Sequence, residues 1–255
     1  MKYNHMASTQ ESDFTGYFGI SRWRAWTPGI THEQDWRTWL NGKLPPAPNE
    51  ELEVSYLPGL LRRRLDRFGR MALHTAWPCA EGLAAVQYVF ASRHGALNRT
   101  VELLTSLADN DLLSPTLFTL SVNNSVAGLF AIARGDRSAA TAMAAGLDTL
   151  GLCILEGATM IAEGAEQVLV TYMDDLVPSL YRGVIPEAPV HPFAISLLLT
   201  PVADAPLRCR LGRHAVSSAA EQSPEVALIR FLVEELSEVE LGVHQIWRLE
   251  REHAG

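Results

Sequence analysis

Three cysteines, eight histidines and one adjacent pair of aspartates are the side chains through which this 255-residue chain can do covalent or acid–base chemistry. Cys79 follows His74 by five positions, with Pro78 between them, and His94 stands further on. That set allows a cysteine nucleophile with a histidine base, although spacing alone does not bring them together. Asp174 and Asp175 follow the apolar run EQVLVTYM. If that run is a strand of an open α/β sheet, the pair stands where such sheets bind ligands, although loop carboxylates after a strand are commoner than catalytic ones. Cys79, Cys153 and Cys209 are odd in number and contain no C-x-x-C pair, so neither a disulfide framework nor a zinc site is indicated. The histidines form no H-E-x-x-H pattern and no G-x-x-x-x-G-K-[ST] loop is present, so no metal and no nucleotide cofactor is expected. Arg62, Arg63, Arg64, Arg67 and Arg70 crowd one short stretch. They can attract an acidic partner and its phosphate, or simply face solvent.

The elements that must position these residues follow from periodicity. From Pro58, the residues Leu61, Leu65, Phe68 and Ala72 recur at helical spacing and predict an amphipathic helix. LAAVQYVFAS (83–92) predicts a buried strand, and Val101, Leu104, Leu107 and Ala108 a helix after the turn RHGALN. Phe118 to Val122 reads as a short strand, SVAGLFAIARG (125–135) as a helix, and SAATAMAAG (138–146) as a strand. A helix from about Asp148 to Glu163 precedes a strand at 166–173, whose continuous apolar centre suits cover on both faces. A strand at 193–200 and a helix with Ser223 as N-cap and Pro224 at its first position complete the map.

This alternation predicts a layered α/β domain with a mainly parallel sheet. The expected organisation is one domain over 1–255: an irregular Trp-rich leading segment (1–57, closing in the Pro-rich bend KLPPAPNEE), an α/β core (58–200), and a C-terminal extension with a helix (201–255). The formal charge of −8 disfavours nucleic acid as a partner. No apolar run approaches the roughly 20 residues of a membrane-spanning helix, and the first residues lack a secretory pattern, so a cytoplasmic location is expected.

Five segments carry a family resemblance: AWTPGI, PGLLRRRLDRFGRMAL, FASRHGALNRT, LLSPTLFTLSVNNSVAGL and TAMAAGLDTL. From about Trp26 to Leu199 the chain resembles the short β-ketoacyl-synthase-like N-terminal-domain proteins of aryl polyene biosynthesis, a type II polyketide-like system. The resemblance implies a truncated, half thiolase-like fold. It also implies a non-catalytic, chain-length-factor-like subunit that pairs with an active ketosynthase, shapes its acyl tunnel and meets the acyl carrier protein through that complex.

In true ketosynthases a cysteine stands at a strand-to-helix turn, where the helix N-terminus favours its thiolate. Counting along the flanks puts the matching position near Leu147, and a second register, through AMAAGLDTL, puts it at Met143. Neither side chain is a nucleophile, and Cys153 falls about one and a half turns inside the following helix, pointing into packing. No H-G-T-G-like or N-x-x-G-H-like segment follows residue 190 to supply the family's histidines. The expectation is therefore no catalytic residue, with Met143, Leu147, Gly146 and Leu150 near the tunnel or interface. Asn123 and Asn124 are read as an interface turn or, more plainly, as a cap for the next helix. Arg62, Arg63, Arg64 and Arg67 are read as docking residues for the carrier or partner. A half-fold is expected to leave an apolar face exposed, which marks an obligate partner. The alternative is a stand-alone acyltransferase or thioesterase using Cys79 or a serine.

Overall fold

Part of the leading aromatic segment is a strand. In the computed structural model, which describes residues 15–30, 34–42, 52–185, 187–214, 222–244 and 246–252, β1 runs from Thr15 to Trp26. Phe18 and Ile20 enter one core, and so do Ala25 and, partly buried, Trp23. The register slips between Ile20 and Arg22 against its neighbour, which sets the core residues Ile20 and Trp23 three apart instead of two. This bulge hides the strand period from the sequence and explains why 1–57 reads as irregular. After α1 (Asp35–Leu40), the Pro-rich bend at 43–51 lies outside the described residues.

The single helix expected from Pro58 is two: α2 (Gly59–Arg62) and α3 (Arg67–Cys79). Asp66 breaks it, because its carboxylate accepts the Gly69 N–H at 3.0 Å and caps α3 instead of continuing α2. β2 (Gln87–Ala91) and α4 (Leu97–Ala108) follow as expected. The strand expected at 118–122 is instead α5 (Pro115–Thr119), with Ser114 as N-cap and Pro115 at the first position, two start signals that outweigh a short apolar run. Then come α6 (Ser125–Arg134), β3 (Ala140–Met143), α7 (Thr149–Ala162), β4 (Val168–Asp174) and β5 (Phe193–Thr200). The C-terminal stretch is more than an extension with a helix. β6 (Leu207–His214), α8 (Pro224–Val233), β7 (Glu238–Leu241) and β8 (Ile246–Arg251) enlarge the same sheet.

The eight strands lie in the order β3-β2-β4-β5-β1-β6-β8-β7. β1 to β4 share one direction, but β5 runs against them and separates β4 from β1. Two pairings are therefore parallel and five antiparallel, so the expected α/β layers carry a mixed sheet. α1, α7 and α8 bury one face of it and α3 and α6 the other. At the far end, Leu211, Leu249 and Val239 face the first core, whereas Arg210, Glu250, Arg248 and Glu240 pair with one another on the solvated side. The two edges differ: β3 is Ala-Thr-Ala-Met without charge or proline, and β7 carries Glu238 and Glu240.

Helix α7 is buried or partly buried from Thr149 to Ile161. A Cβ on Gly157 would stand 2.5 Å from Val170 of β4 and 2.8 Å from Leu199 of β5, and one on Gly151 would stand 2.8 Å from Trp247 of β8. At about 4.8 Å per strand, a flat sheet would separate β4 from β8 by roughly 19 Å, nearly twice the ~10 Å width of a helix. The sheet therefore curls around α7. The apolar face expected to stay open on a half-fold is covered here by the chain's own C-terminal strands. Large exposed apolar residues cluster in sequence elsewhere, at Leu104, Leu107, Leu112, Leu113, Phe118 and Val122 in and after α4 and α5. Replacing Gly157 by Val is expected to cost about 2 kcal/mol or more of folding stability through overpacking, read as a lower denaturant midpoint.

Candidate functional site

The turn from β3 into α7 is built from Ala144 to Asp148. Gly146 has φ +59°, a conformation glycine adopts without a Cβ penalty, and a short 3-10 turn over Gly146–Asp148 leads into the helix. The Thr149 hydroxyl donates to the Gly146 carbonyl at 2.6 Å and accepts the Ala145 N–H at 2.9 Å. Asp148, 6% exposed, accepts the N–H groups of Val243 and His244 at 2.6 and 2.9 Å, which ties the turn to the β7–β8 connection. Ala145 N–H, a donor in the turn itself, is thus already taken by the chain.

Met143 ends β3 and packs, half-buried, against the first core. Leu147 is half-buried in the 3-10 turn. Leu150 is 2% exposed and belongs to the core, so its side chain faces this chain's interior. Cys153 is also fully buried, as its place inside the helix led one to expect.

Next to this turn lies the loop after β2, whose Ser92 N–H donates to the Met143 carbonyl at 3.2 Å. Asp174, at the end of β4 and 2% exposed, organises that loop. Its Oδ1 accepts Ser92 Oγ at 2.8 Å and Arg93 N at 2.9 Å, and its Oδ2 accepts Arg93 Nε and the Tyr172 hydroxyl, the latter at 2.8 Å. Burial alone would lower the Arg93 guanidinium, but Tyr172 and Asp174 beside it hold it above its ordinary value. His94 goes the other way: burial lowers it, while Asp174 raises it and Arg93 lowers it further. Asp175 forms a separate ion pair, 2.6 Å from Arg67. The two aspartates are therefore each committed to a different arginine, and the paired-carboxylate arrangement does not form.

The Cys79–His74 arrangement does not form either. Cys79 Sγ points at the Ser196 carbonyl, 3.6 Å away, and His74 Nδ1 lies 3.2 Å from the Glu53 carbonyl. Burial pushes the Cys79 and Cys209 thiols up to about 12 and raises Cys153 as well. A thiol held so high is not a nucleophile near neutral pH.

Of the remaining sequence candidates, Asn123 and Asn124 are exposed before α6. Asn124 occupies the N-cap position without a side-chain cap bond, and the Asn123 Oδ1 lies 2.4 Å from where a Cβ on Gly95 would be, which brings the 120–124 turn against the loop after β2. Arg67 is held by Asp175, and Arg62 is half-buried. Arg63 and Arg64 are exposed and make no ion pair among the described residues. Sequence reasoning passed over Ser92, Arg93, Asp148 and Thr149. Only Asp148 and Thr149 carried a signal, as oxygen-bearing side chains at a helix start. Among the described residues no group of three or more His, Cys, Asp or Glu could hold a metal ion, and no helix is long and apolar enough to cross a membrane.

Residues 36–247 match the family described as beta-ketoacyl synthase, N-terminal domain. Among solved structures, the chain is similar to one in the complex of the ketosynthase ApeO with its chain length factor ApeC from Xenorhabdus doucetiae. The identity is 27% and the TM-score 0.78, over 92% of this chain and 99% of that one. A chain of the AntDE:AntF complex, a type II polyketide synthase acyl-carrier protein with its ketosynthase bound to the hexaketide, matches at 11% identity and TM-score 0.72, over 94% and 99%. The ishigamide ketosynthase/chain length factor matches at 15% and 0.61, over 78% and 66%. At those identities the last two show the fold alone. No curated protein matches the sequence. The fold is thiolase-like, and the chain belongs to the β-ketoacyl synthase N-terminal domain family.

Proposed function

We propose that this chain is the non-catalytic partner of an active β-ketoacyl-carrier-protein synthase, a chain-length-factor-like subunit of aryl polyene or related polyketide synthesis. The observation that carries the reading is the β3–α7 turn. Where the family resemblance calls for an acyl-accepting thiol, the candidate residues are Met143 and Leu147, and the three thiols are buried elsewhere and held high by that burial. Without a thiolate no acyl-enzyme forms, so the chain acts through shape.

Two surface features support a partner. β3 is a sheet edge without the charge or proline that blunts such edges. Leu112 is 98% exposed and Phe118 61%, in a run of exposed apolar residues that water does not favour. In the complex, Met143 and Leu147 form part of the tunnel wall and stop the growing acyl chain by steric contact. Leu150 has no place in that wall, because it fills this chain's own core. Arg63 and Arg64 are left to meet an acidic carrier protein, since Arg67 is engaged by Asp175.

Co-expression with an active ketosynthase tests the reading. A stoichiometric complex is expected by light scattering, and Leu112→Glu with Phe118→Glu should weaken it about tenfold or more. A wild-type chain that stays apart from every ketosynthase tried, while folded, would refute the assignment. Within the complex, Leu147→Ala should shift products toward longer chains, measured by mass spectrometry of the released acyl groups; an unchanged distribution removes Leu147 from the tunnel. In native buffer Cys79, Cys153 and Cys209 should resist iodoacetamide and react only in denaturant, whereas Met143→Cys adds one site that labels in the folded chain. Rapid native labelling of Cys79 would instead revive the stand-alone enzyme.

A further inference from the structure

β3 is the least buried of the described strands. It pairs with β2 alone, and none of its four side chains is fully buried, whereas β7, the other edge and equally short, sinks Val239 and Leu241 into the core. A strand with one neighbour and no buried side chain has little apolar burial to set against the entropy of ordering it. Polar contacts at its two ends supply much of its hold on the sheet.

At the start stands Asp136, between α6 and β3 and 7% exposed. Its Oδ1 accepts the N–H and the hydroxyl of Ser138 at 2.9 and 2.7 Å, and its Oδ2 accepts the N–H of Val86, just before β2, at 3.1 Å. Its own N–H donates to the Ala131 carbonyl of α6 at 3.1 Å, and Arg134 Nε lies 3.8 Å from Oδ2. One residue thus joins the entries of β2 and β3 to the end of α6. Burial raises this carboxyl, but the donations from Ser138 and Val86 and the charge of Arg134 outweigh burial and hold it below its ordinary value. It therefore accepts as an anion, and hydrogen bonds to an ionised group are roughly twice as strong as neutral ones. At the far end, the Met143 carbonyl accepts the Ser92 N–H at 3.2 Å, in the loop that Asp174 holds.

The carbonyls of Ala139 and Met143 turn toward β2, where the N–H groups of Tyr88 and Ser92 meet them. Alternation along the strand then turns the backbone groups of Ala140 and Ala142 outward, where a further strand can pair with them. We propose that Asp136 is a positioning residue for partner binding: it holds β3 on the sheet in the free chain, so that the ketosynthase meets a backbone edge already formed. The inference rests on the reading of this chain as a ketosynthase partner and names the residue that prepares the contact. An edge ordered beforehand spares the complex the entropy of ordering it on contact.

Native-state hydrogen exchange on the full chain, free and with the ketosynthase, tests this. Asp136→Asn keeps an oxygen for Ser138 but sets an amide N–H against that of Val86. The free variant should exchange the amides of Thr141 and Met143 about tenfold faster or more, with β4 and β5 unchanged, and should bind the ketosynthase about threefold more weakly or worse. Ser138→Ala, which removes only the hydroxyl, should show the same pattern at smaller size and serves if the asparagine variant does not fold. Unchanged exchange in β3 overturns the proposal, and so does a loss spread equally over β4 and β5, which marks Asp136 as a general support of the fold. Faster exchange in β3 with undiminished affinity overturns the positioning role. If the wild-type chain binds no ketosynthase while Asp136→Asn still loosens β3, the partner reading falls and takes the positioning role with it, leaving Asp136 as the residue that forms the edge.

Discussion

Helix α7 lies closer to its neighbours than side chains at two of its positions would permit. Gly157 lets it settle against Val170 and Leu199 in the middle of the sheet, and Gly151 lets Trp247 of the far strands close over it. A helix gripped from both sides forces the sheet to curve, and the curve brings the β7–β8 connection to Asp148 at the start of that helix. The turn between β3 and α7 is thereby fixed by the C-terminal strands. Its geometry depends on residues a hundred positions away in the chain.

In open α/β sheets the crevice beyond the strand ends is the usual place for a ligand. Here Asp174 fills part of that place with an internal knot: its oxygens are occupied by the chain's own donors, and they hold Ser92 and Arg93 in register with Met143. A polar group so fully satisfied adds rigidity and offers nothing to a substrate. Among the described residues, groups open to outside contact are peripheral: the uncharged edge strand, the exposed apolar residues around α5, and Arg63 and Arg64 at the α2–α3 junction, which make no ion pair there.

Much of this was legible in the sequence where one local signal dominated. FAISLLLT and EQVLVTYM are long apolar runs and are strands covered on both faces, and Ser223–Pro224 starts a helix with two signals at once. Reading failed where signals compete or act at a distance. The bulge at Ile20–Arg22 shifted the alternation of β1 out of phase, and Ser114–Pro115 turned an apolar run into a helix. Asp66 cut an apparently continuous amphipathic helix in two. The mixed direction of the sheet follows from β5 entering between β4 and β1, a matter of topology that no window of residues records. At the site, the sequence supplied Met143 and Leu147 through family resemblance, but no pattern announced that Leu150 faces inward or that Asp174 belongs to Arg93.

The unlike edges of the sheet set a limit on assembly. Hydrogen bonding through β3 uses an edge that lacks a charge, whereas the opposite edge presents Glu238 and the Glu240–Arg248 ion pair, charged groups that blunt it as a template for a second strand. A pair joined at β3 would therefore turn only charged edges outward. Such a pair would leave, among the described strands, no uncharged edge as a template on which a third sheet could be laid.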